Sequence, residues 1–561
     1  MNTIKELTGK INIDKTIKIS AIAIGAIGVI YALYFFIANC FDTTKTKFYN
    51  GYFAVILIIM IALTIYLVRF LVLDREWTYS RVFVVLALGW SICIQLVMPP
   101  ISGVDEVSHY YSAYHCSNIL MGMKDHDFDT DPDNYGSWIT GTSYFYMRAE
   151  DYYNLPYLDV TFPYQYQILA DGNWFHCSDE AAQLVPCYEA PSQARRYIIS
   201  GIGITIARLL HFGFVGTIFM GRFMNSLTLI FAGWLCIKLL TIGKLQLVSF
   251  ALFPTVLELC GSYSYDNMSI LFSIILFSLC LYFSRDDVRL HAWHFILLGI
   301  SAAMLIPNKT VYVLFAIWIL IIPVKKWWKD VCLSKKWYEY ATIAIILVGA
   351  VVVFKKLVVK YYYRVLSQMV WVYENKTIDQ DSTRASYTWQ YMTAHPIETL
   401  KFAWSGIKVD FWYNIKHVVG CQLGHVKLNA EVPIACTIVI LACLIVSLFI
   451  NKGKRLKKWQ YVIVALGLIG CTIAIFIGCL TRFTPAEGSE RIQISYRYLI
   501  PVYMCMSVAL GTDAKENRRS LVLILVQNTA LIFTMCGLLY FLFHLRDGMG
   551  VPEILQGIIA G

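Results

Sequence analysis

Apolar runs of roughly 17 to 25 residues, broken by short polar stretches, recur along the whole chain, and each is long enough to cross a hydrocarbon core of about 30 Å as a helix. They fall at about 17–38, 51–73, 80–98, 217–240, 246–262, 265–284, 293–307, 309–325, 339–358, 432–450, 459–480, 497–511 and 520–544, which makes about thirteen. A spanning backbone has no water to bond to, so these segments must be helical. The pattern predicts an all-α polytopic membrane protein. Residues 1–79 form an N-terminal hairpin of two spans, 80–358 a central membrane module that includes a large loop at 99–196, 359–431 a second large loop, and 432–561 a C-terminal set of helices. Both large loops are expected to be extracytoplasmic and to carry interfacial helices.

Composition agrees: 58% of residues are hydrophobic and 15% charged, with a mean hydropathy of +0.58. A net charge of +10 could suggest a nucleic-acid partner. The basic residues, however, sit in short loops between apolar runs: Lys325 to Lys336, Lys452 to Lys458 and Lys515 to Arg519. The positive-inside rule places those loops in the cytoplasm, with the N-terminal segment that carries Lys5, Lys10, Lys15 and Lys18, and no nucleic acid is implied. These anchors agree with one another only if the apolar stretch at 197–212, which contains Arg208, re-enters or lies in the interface. Lys355, Lys356, Lys360 and Arg364 then fall at an outer end, against the rule, where lipid phosphates would face them. No cleavable signal peptide is expected, since the first apolar run lacks a small-residue cleavage site. Up to Gln193 the first large loop holds fourteen Asp and Glu against Lys124 and Arg148 alone, as a translocated loop should. The sixteen Cys show no metal spacing; Cys177 and Cys187, flanking a polar stretch of that loop, are either a disulfide or two free thiols.

Candidate chemistry gathers where spans leave the membrane. The run from Pro99 and Pro100 through Asp105, Glu106 and His109 to Tyr114 ends the third span, and Ser102 with Asp105 has the spacing that starts a helix. In such a helix Asp105 and His109 share a face, with Glu106 beside them. The acid pair suits a general base for a hydroxyl or a divalent cation site; equally it suits a helix cap with an interfacial anchor. A second polar hinge, Ser262 to Asn267, contains Tyr265 and Asp266, and Glu258 lies a little deeper. Ionisable groups inside a span cost about 2.5 to 3.5 kcal/mol on insertion scales, so they usually face a cavity or a partner. Three cations, Arg222, Lys309 and Arg497, sit at expected outer ends, the latter two near Tyr312 and Tyr498. Each could be a snorkelling anchor; together with the acids they form one set of opposite charges suited to anion binding and acid-base chemistry. Weaker signals are the alternating Asp127, Asp129, Asp131 and Asp133, which lack the Gly and distal Glu of a calcium loop, the lone His417 and His425, and the glycosylation-like Asn308 and Asn375. No nucleotide-binding or zinc-protease motif is present.

At these residues the chain resembles the bacterial membrane-protein family known as domain of unknown function 2142. The blocks are Pro100 with Asp105-Glu106-x-x-His109-x-x-x-Ala113-Tyr114; Gly203 through Ala207-Arg208-Leu209-Leu210 to Gly221-Arg222-x-x-Asn225; Ser262-x-Ser264-Tyr265-Asp266; Lys309-x-x-Tyr312; and Arg497-Tyr498-x-x-Pro501. They cover roughly residues 80 to 510. The chain departs from the family at Val107, where Pro is common, and at Ser112, where Arg is common. The architecture is similar to the GT-C glycosyltransferases, which makes 80–358 a GT-C-like catalytic module. The resemblance implies transfer of a sugar from a polyprenyl-phosphate donor to a surface glycan or glycolipid. Asp105 would be the base, with Glu106 and His109 orienting the acceptor or a cation held by Asp105 and Glu106. Arg222, Lys309 and Arg497 would hold the donor phosphate, and Asp266, Tyr265, Glu258, Tyr312 and Tyr498 would line the substrate. A lipid-linked-glycan flippase or a non-catalytic envelope scaffold are the competing readings; a transporter should show broken helices and ionisable groups near the midplane.

Overall fold

The computed structural model describes residues 13–41, 47–98, 100–124, 126–127, 143–155, 169, 172–186, 194–333, 336–344, 355, 389–424, 426–428, 431–451, 453–483, 492, 494–513 and 516–546. Helices α1 (Ile13–Phe35), α2 (Lys47–Val72) and α3 (Tyr79–Val97) precede α4 (Glu106–Leu120) and the short α5 (Ala149–Tyr153) of the first large loop. Next come α6 (Ile198–Leu209), α7 (Phe214–Leu239), α8 (Lys244–Ala251), α9 (Pro254–Gly261), α10 (Asp266–Phe283) and α11 (Ala292–Ala303), then a 3-10 helix at Thr310–Ile321. Beyond it are α12 (Pro396–Lys416), α13 (Glu431–Ser447), α14 (Lys458–Phe483), α15 (Ile500–Leu510) and α16 (Arg518–Arg546).

Among the described residues, seven helices are long and apolar enough to cross a membrane, or nine if each of two bent pairs is one span. The seven are α1 continued to Cys40, α2, α3, α7, α10, α14 and α16. Their outer faces are apolar: Ile22, Ile27 and Ile30 of α1 and Val462, Leu466, Ile469 and Ile473 of α14 all stand exposed. A water-facing surface would not carry such stripes, whereas lipid accepts them. Of the other expected spans, 293–307 and 432–450 correspond to the shorter apolar helices α11 and α13, 497–511 to the short α15, and most of 339–358 lies outside the described residues.

Both bent pairs break at a proline. Pro254 restricts Phe253 to an extended backbone, so α8 stops and α9 restarts at an angle of 68° with Pro in its first position. Pro323 does the same to Ile322, and the segment from Val324 to Cys332 leaves Thr310–Ile321 at 69°. The apolar stretch at 197–212 becomes α6, whose 12 residues reach only about 18 Å, too short to cross. α6 lies against the start of α7. A Cβ on Gly203 would come within 2.5 Å of the Met220 carbonyl, so only glycine allows that approach.

The chain forms two units that do not follow the expected boundaries at 79, 358 and 431. The first joins Met1–Leu271, Ile415–Arg455 and Tyr503–Gly561; the second joins Phe272–Asn414 and Leu456–Val502. In the first, the basic loops gather at one end. Lys18 meets Asp74 at 2.5 Å, Arg518 pairs with Asp14 and with Asp74 at 2.7 Å, and the Asp513 amide donates to the Lys454 carbonyl at 2.9 Å. In the second, Lys326 donates to the carbonyls of Phe283 (2.8 Å) and Arg285, and the Leu290 amide donates to Asp330 at 3.0 Å. Loops expected on one side of the bilayer are thus brought together within each unit.

The first large loop is not helical alone. It adds an antiparallel sheet in the order β1 (His126–Asp127), β2 (Ser143–Arg148), β3 (Ala182–Pro186), with Tyr146 opposite Leu184. Buried charges fix this cap to the helices. Arg148 forks onto Asp151 at 2.6 and 3.2 Å and also donates to Thr217 of α7 at 2.9 Å, while the Tyr114 hydroxyl of α4 donates to Asp151 at 2.9 Å. Glu150 accepts from the Phe214 amide at 2.8 Å and from the Ser178 hydroxyl at 2.8 Å, and so caps the start of α7 from a distant segment. Cys177 is a free thiol; Cys187, Asp129, Asp131, Asp133, His425 and Asn375 lie outside the described residues. Asn308 is buried and donates to the Met304 carbonyl, which makes it a poor glycan acceptor.

Candidate active site

The end of α3 carries unusual backbone. Ile101 has φ 59° and Asp105 φ 57°, left-handed conformations that cost a β-branched residue most and that persist where surrounding structure over-determines them. The surroundings are specific. A second hairpin, β4 (Gln422–Leu423) with β5 (Val426–Lys427), presses Gly424 onto this loop, where a Cβ would lie 2.3 Å from the Ser102 carbonyl. Gly424 itself has φ 56°. The expected Ser102 cap does not form: α4 begins at Glu106 with Asp105 in the capping position and no side-chain bond to the helix.

Asp105 and Glu106 point to opposite fates. Glu106 is fully buried and takes four hydrogen bonds. Its Oε1 accepts from Arg222 Nε at 2.9 Å and the Tyr263 amide at 3.2 Å; its Oε2 accepts from Arg222 Nη2 at 2.5 Å and the Gly103 amide at 2.7 Å. A carboxylate has about four acceptor positions, and here all are used. Burial alone would raise its pKa, but the Arg222 guanidinium and the two amides outweigh burial and hold the carboxyl below its usual range. Glu106 thus spends its acceptor positions within the protein, and Arg222, only 3% exposed, pairs with it and also donates to the Met98 carbonyl at 3.3 Å. Among the described residues no group of three or more His, Cys, Asp or Glu could hold a metal ion.

Asp105, by contrast, is exposed. His109, one turn into α4, is buried and lies 2.8 Å from the Tyr197 hydroxyl through Nδ1. The Tyr265 ring stands edge-on to His109 at 5.2 Å and to Tyr197 at 6.2 Å, and the Arg196 guanidinium lies 5.7 Å from the Tyr265 ring centre. Tyr265 remains half-exposed. Asp266 is buried in the first turn of α10, where a carboxylate complements the helix N-terminus. Glu258 is buried in α9 and, with Gln95, Met98, Arg222 and Ser262, lines a cavity of about 10 Å³, the size of one water. Three of the five expected segments thus meet in the first unit.

The other two meet in the second unit. The Lys309 ammonium sits 3.6 Å from the Tyr498 ring centre, the Arg497 guanidinium 5.5 Å from it, and the Tyr312 hydroxyl donates to the Tyr498 carbonyl at 2.7 Å. Two cations therefore share one aromatic ring.

The model of a family described as predicted membrane protein, DUF2142, matches residues 189–506, more than half of the chain. The chain belongs to that family. It is a multi-pass membrane protein, mostly helical, with several apolar helices. No curated protein and no solved structure matches it. The DUF2142 segment takes in Arg222, Glu258, Tyr265, Asp266, Lys309, Tyr312, Arg497 and Tyr498, and starts after Asp105 to His109. Sequence reasoning missed Tyr197, Arg196, Arg148, Glu150 and Asp151. The last three had a visible signal: Arg148 is, with Lys124, one of two basic residues in the acidic loop up to Gln193 and stands three positions before Asp151. The partner of His109 had none, because Tyr197 is 88 residues away.

Proposed function

We propose that this DUF2142 chain is an inverting, GT-C-like membrane glycosyltransferase that moves a sugar from a polyprenyl-phosphate donor to a hydroxyl of a surface glycan or glycolipid. The observation that carries the reading is Asp105: an exposed residue on left-handed backbone, next in sequence to the Glu106 that pairs with Arg222, and one turn before His109, whose ring meets Tyr265 and whose Nδ1 meets Tyr197. Strained backbone held rigidly at an exposed acid is what a positioned base requires. In the reaction an acceptor hydroxyl oxygen bonds to the anomeric carbon and its proton passes to Asp105. The bond from that carbon to the donor phosphate breaks, and the electron pair leaves with the polyprenyl phosphate. Glu106 and Arg222 position Asp105 and touch no substrate. About thirteen crossings, with the basic loops cytoplasmic, would put this chemistry at the extracytoplasmic face of the cell membrane.

The decisive experiment is transfer of labelled sugar from polyprenyl-phosphate donors by the purified protein in liposomes. Asp105→Asn should abolish transfer while folding normally; full activity in that variant would refute the base assignment. A flippase is favoured by a separate observation, the two proline-bent helix pairs and the buried Glu258 beside Arg222. In the same liposomes it predicts movement of the labelled lipid between leaflets without any consumption of acceptor.

A further inference from the structure

Four arginines are described around this end of the first unit, and three are neutralised or bonded within the protein. Arg148 is paired with Asp151 and Arg222 with Glu106, and Arg208 donates to Asn118 at 2.7 Å and Ser117 at 3.0 Å. Arg196 is different. Its guanidinium stands over the Tyr265 ring at 5.7 Å, with no carboxylate partner among the described residues, and it is half-exposed.

Its position is fixed all the same. Arg196 belongs to the 3-10 turn Arg195–Tyr197, and the next residue, Tyr197, is buried against His109. The ring beneath it belongs to the hinge that Glu106 holds through the Tyr263 amide. A guanidinium over a ring keeps its N–H donors in its own plane, directed past the edge of the ring, in the fork that matches two oxygens of one oxyanion.

We propose that Arg196, on its Tyr265 platform, binds an oxyanion of the substrate, a phosphate or a carboxylate, and takes the anion-holding role expected of Arg222. The role rests on the reading that this end of the first unit receives substrate. A phosphate would come from the lipid-linked donor, a carboxylate from an acidic sugar of the acceptor.

The test is equilibrium binding to the full chain in nanodiscs of zwitterionic lipid, with farnesyl monophosphate, neutral farnesol and glucuronic acid as probes. One of the two anions should bind, farnesol should bind more weakly, and Arg196→Gln should weaken the anion by roughly tenfold or more, with Arg196→Lys intermediate. Binding of farnesyl monophosphate assigns the lipid phosphate; binding of glucuronic acid alone assigns an acidic sugar. Equal affinity in Arg196→Gln, or no anion bound by the wild type, overturns the proposal. Sugar transfer with Arg196→Gln unimpaired in binding would sink this role and leave the enzyme reading standing. Anion binding lost in Arg196→Gln, with no transfer by the wild type, would do the reverse.

Discussion

Asp105 and Glu106 are neighbours in sequence and opposites in burial, so the same amide substitution should separate them. Glu106→Gln leaves Arg222 buried without its counter-charge, which typically costs about 3–5 kcal/mol, and the thermal unfolding midpoint should fall sharply. Asp105→Asn changes an exposed group and should stay within about 0.5 kcal/mol of wild type while transfer is lost. Asp105→Gly goes further: relief of the left-handed strain should raise stability by about 0.5–1 kcal/mol, again without activity. A gain in stability with activity intact would mean that the strained acid has no role. From sequence the two acids read as an equivalent pair. Nothing local distinguishes them, since the difference comes from an arginine 116 residues away. The residue types were legible in the sequence; which of them the fold pairs internally and which it leaves exposed was not.

At the scale of elements, the first loop and the start of α7 depend on one carboxylate. Burial would raise the Glu150 pKa, but the amides of Phe214 and Ser178 outweigh it and hold the group below its usual range. A carboxylate with a depressed folded pKa adds stability above its unfolded value, about 4.3, and loses that stability as pH falls through the folded value. Glu106 has the same sign. The cap should therefore resist pepsin near pH 5 and open progressively below about 4. Glu150→Ala should cost about 1–2 kcal/mol, as loss of a helix cap does, and make the loop cleavable at higher pH. Uniform resistance across that range would contradict the capping role. Apolar helices were the most legible elements because hydropathy alone marks them, and 197–212 gives only the short α6. The sheet was not legible: its strands are two to six residues long and far apart in an acidic loop, which Arg148, Glu150 and Asp151 tie to the helices. The bends were written in the sequence as Phe253-Pro254 and Ile322-Pro323, yet a proline inside an apolar run does not say whether the helix kinks or turns back.

For the whole molecule, two units interleaved along the chain mean that topology, not sequence order, decides which segments can meet. The N-terminal hairpin expected to stand apart belongs with the residues as far as Leu271 and with the C-terminal helix α16. Long-range contacts make that association: Tyr31 stacks on Phe533 at 3.7 Å, and Trp90 donates to Asn528 at 2.9 Å. No periodicity in the sequence reports such pairs. Orientation is the property that the function needs most, and two engineered cysteines read it. Glu180 lies in the acidic first loop and Lys454 at the basic end, and both are exposed. Of the described native cysteines only Cys332 is not buried, so Cys332→Ser gives a quiet background. An impermeant maleimide should label Glu180→Cys in intact cells and reach Lys454→Cys only after the membrane is opened. The expected spans put an odd number of crossings between the two positions, the poorly apolar and bent ones included. Labelling of both from outside would make that number even and remove one crossing, 339–358 being the first to doubt. Labelling of Lys454→Cys alone would turn the protein over, place Asp105 in the cytoplasm, and end the case for a donor presented at the outer face.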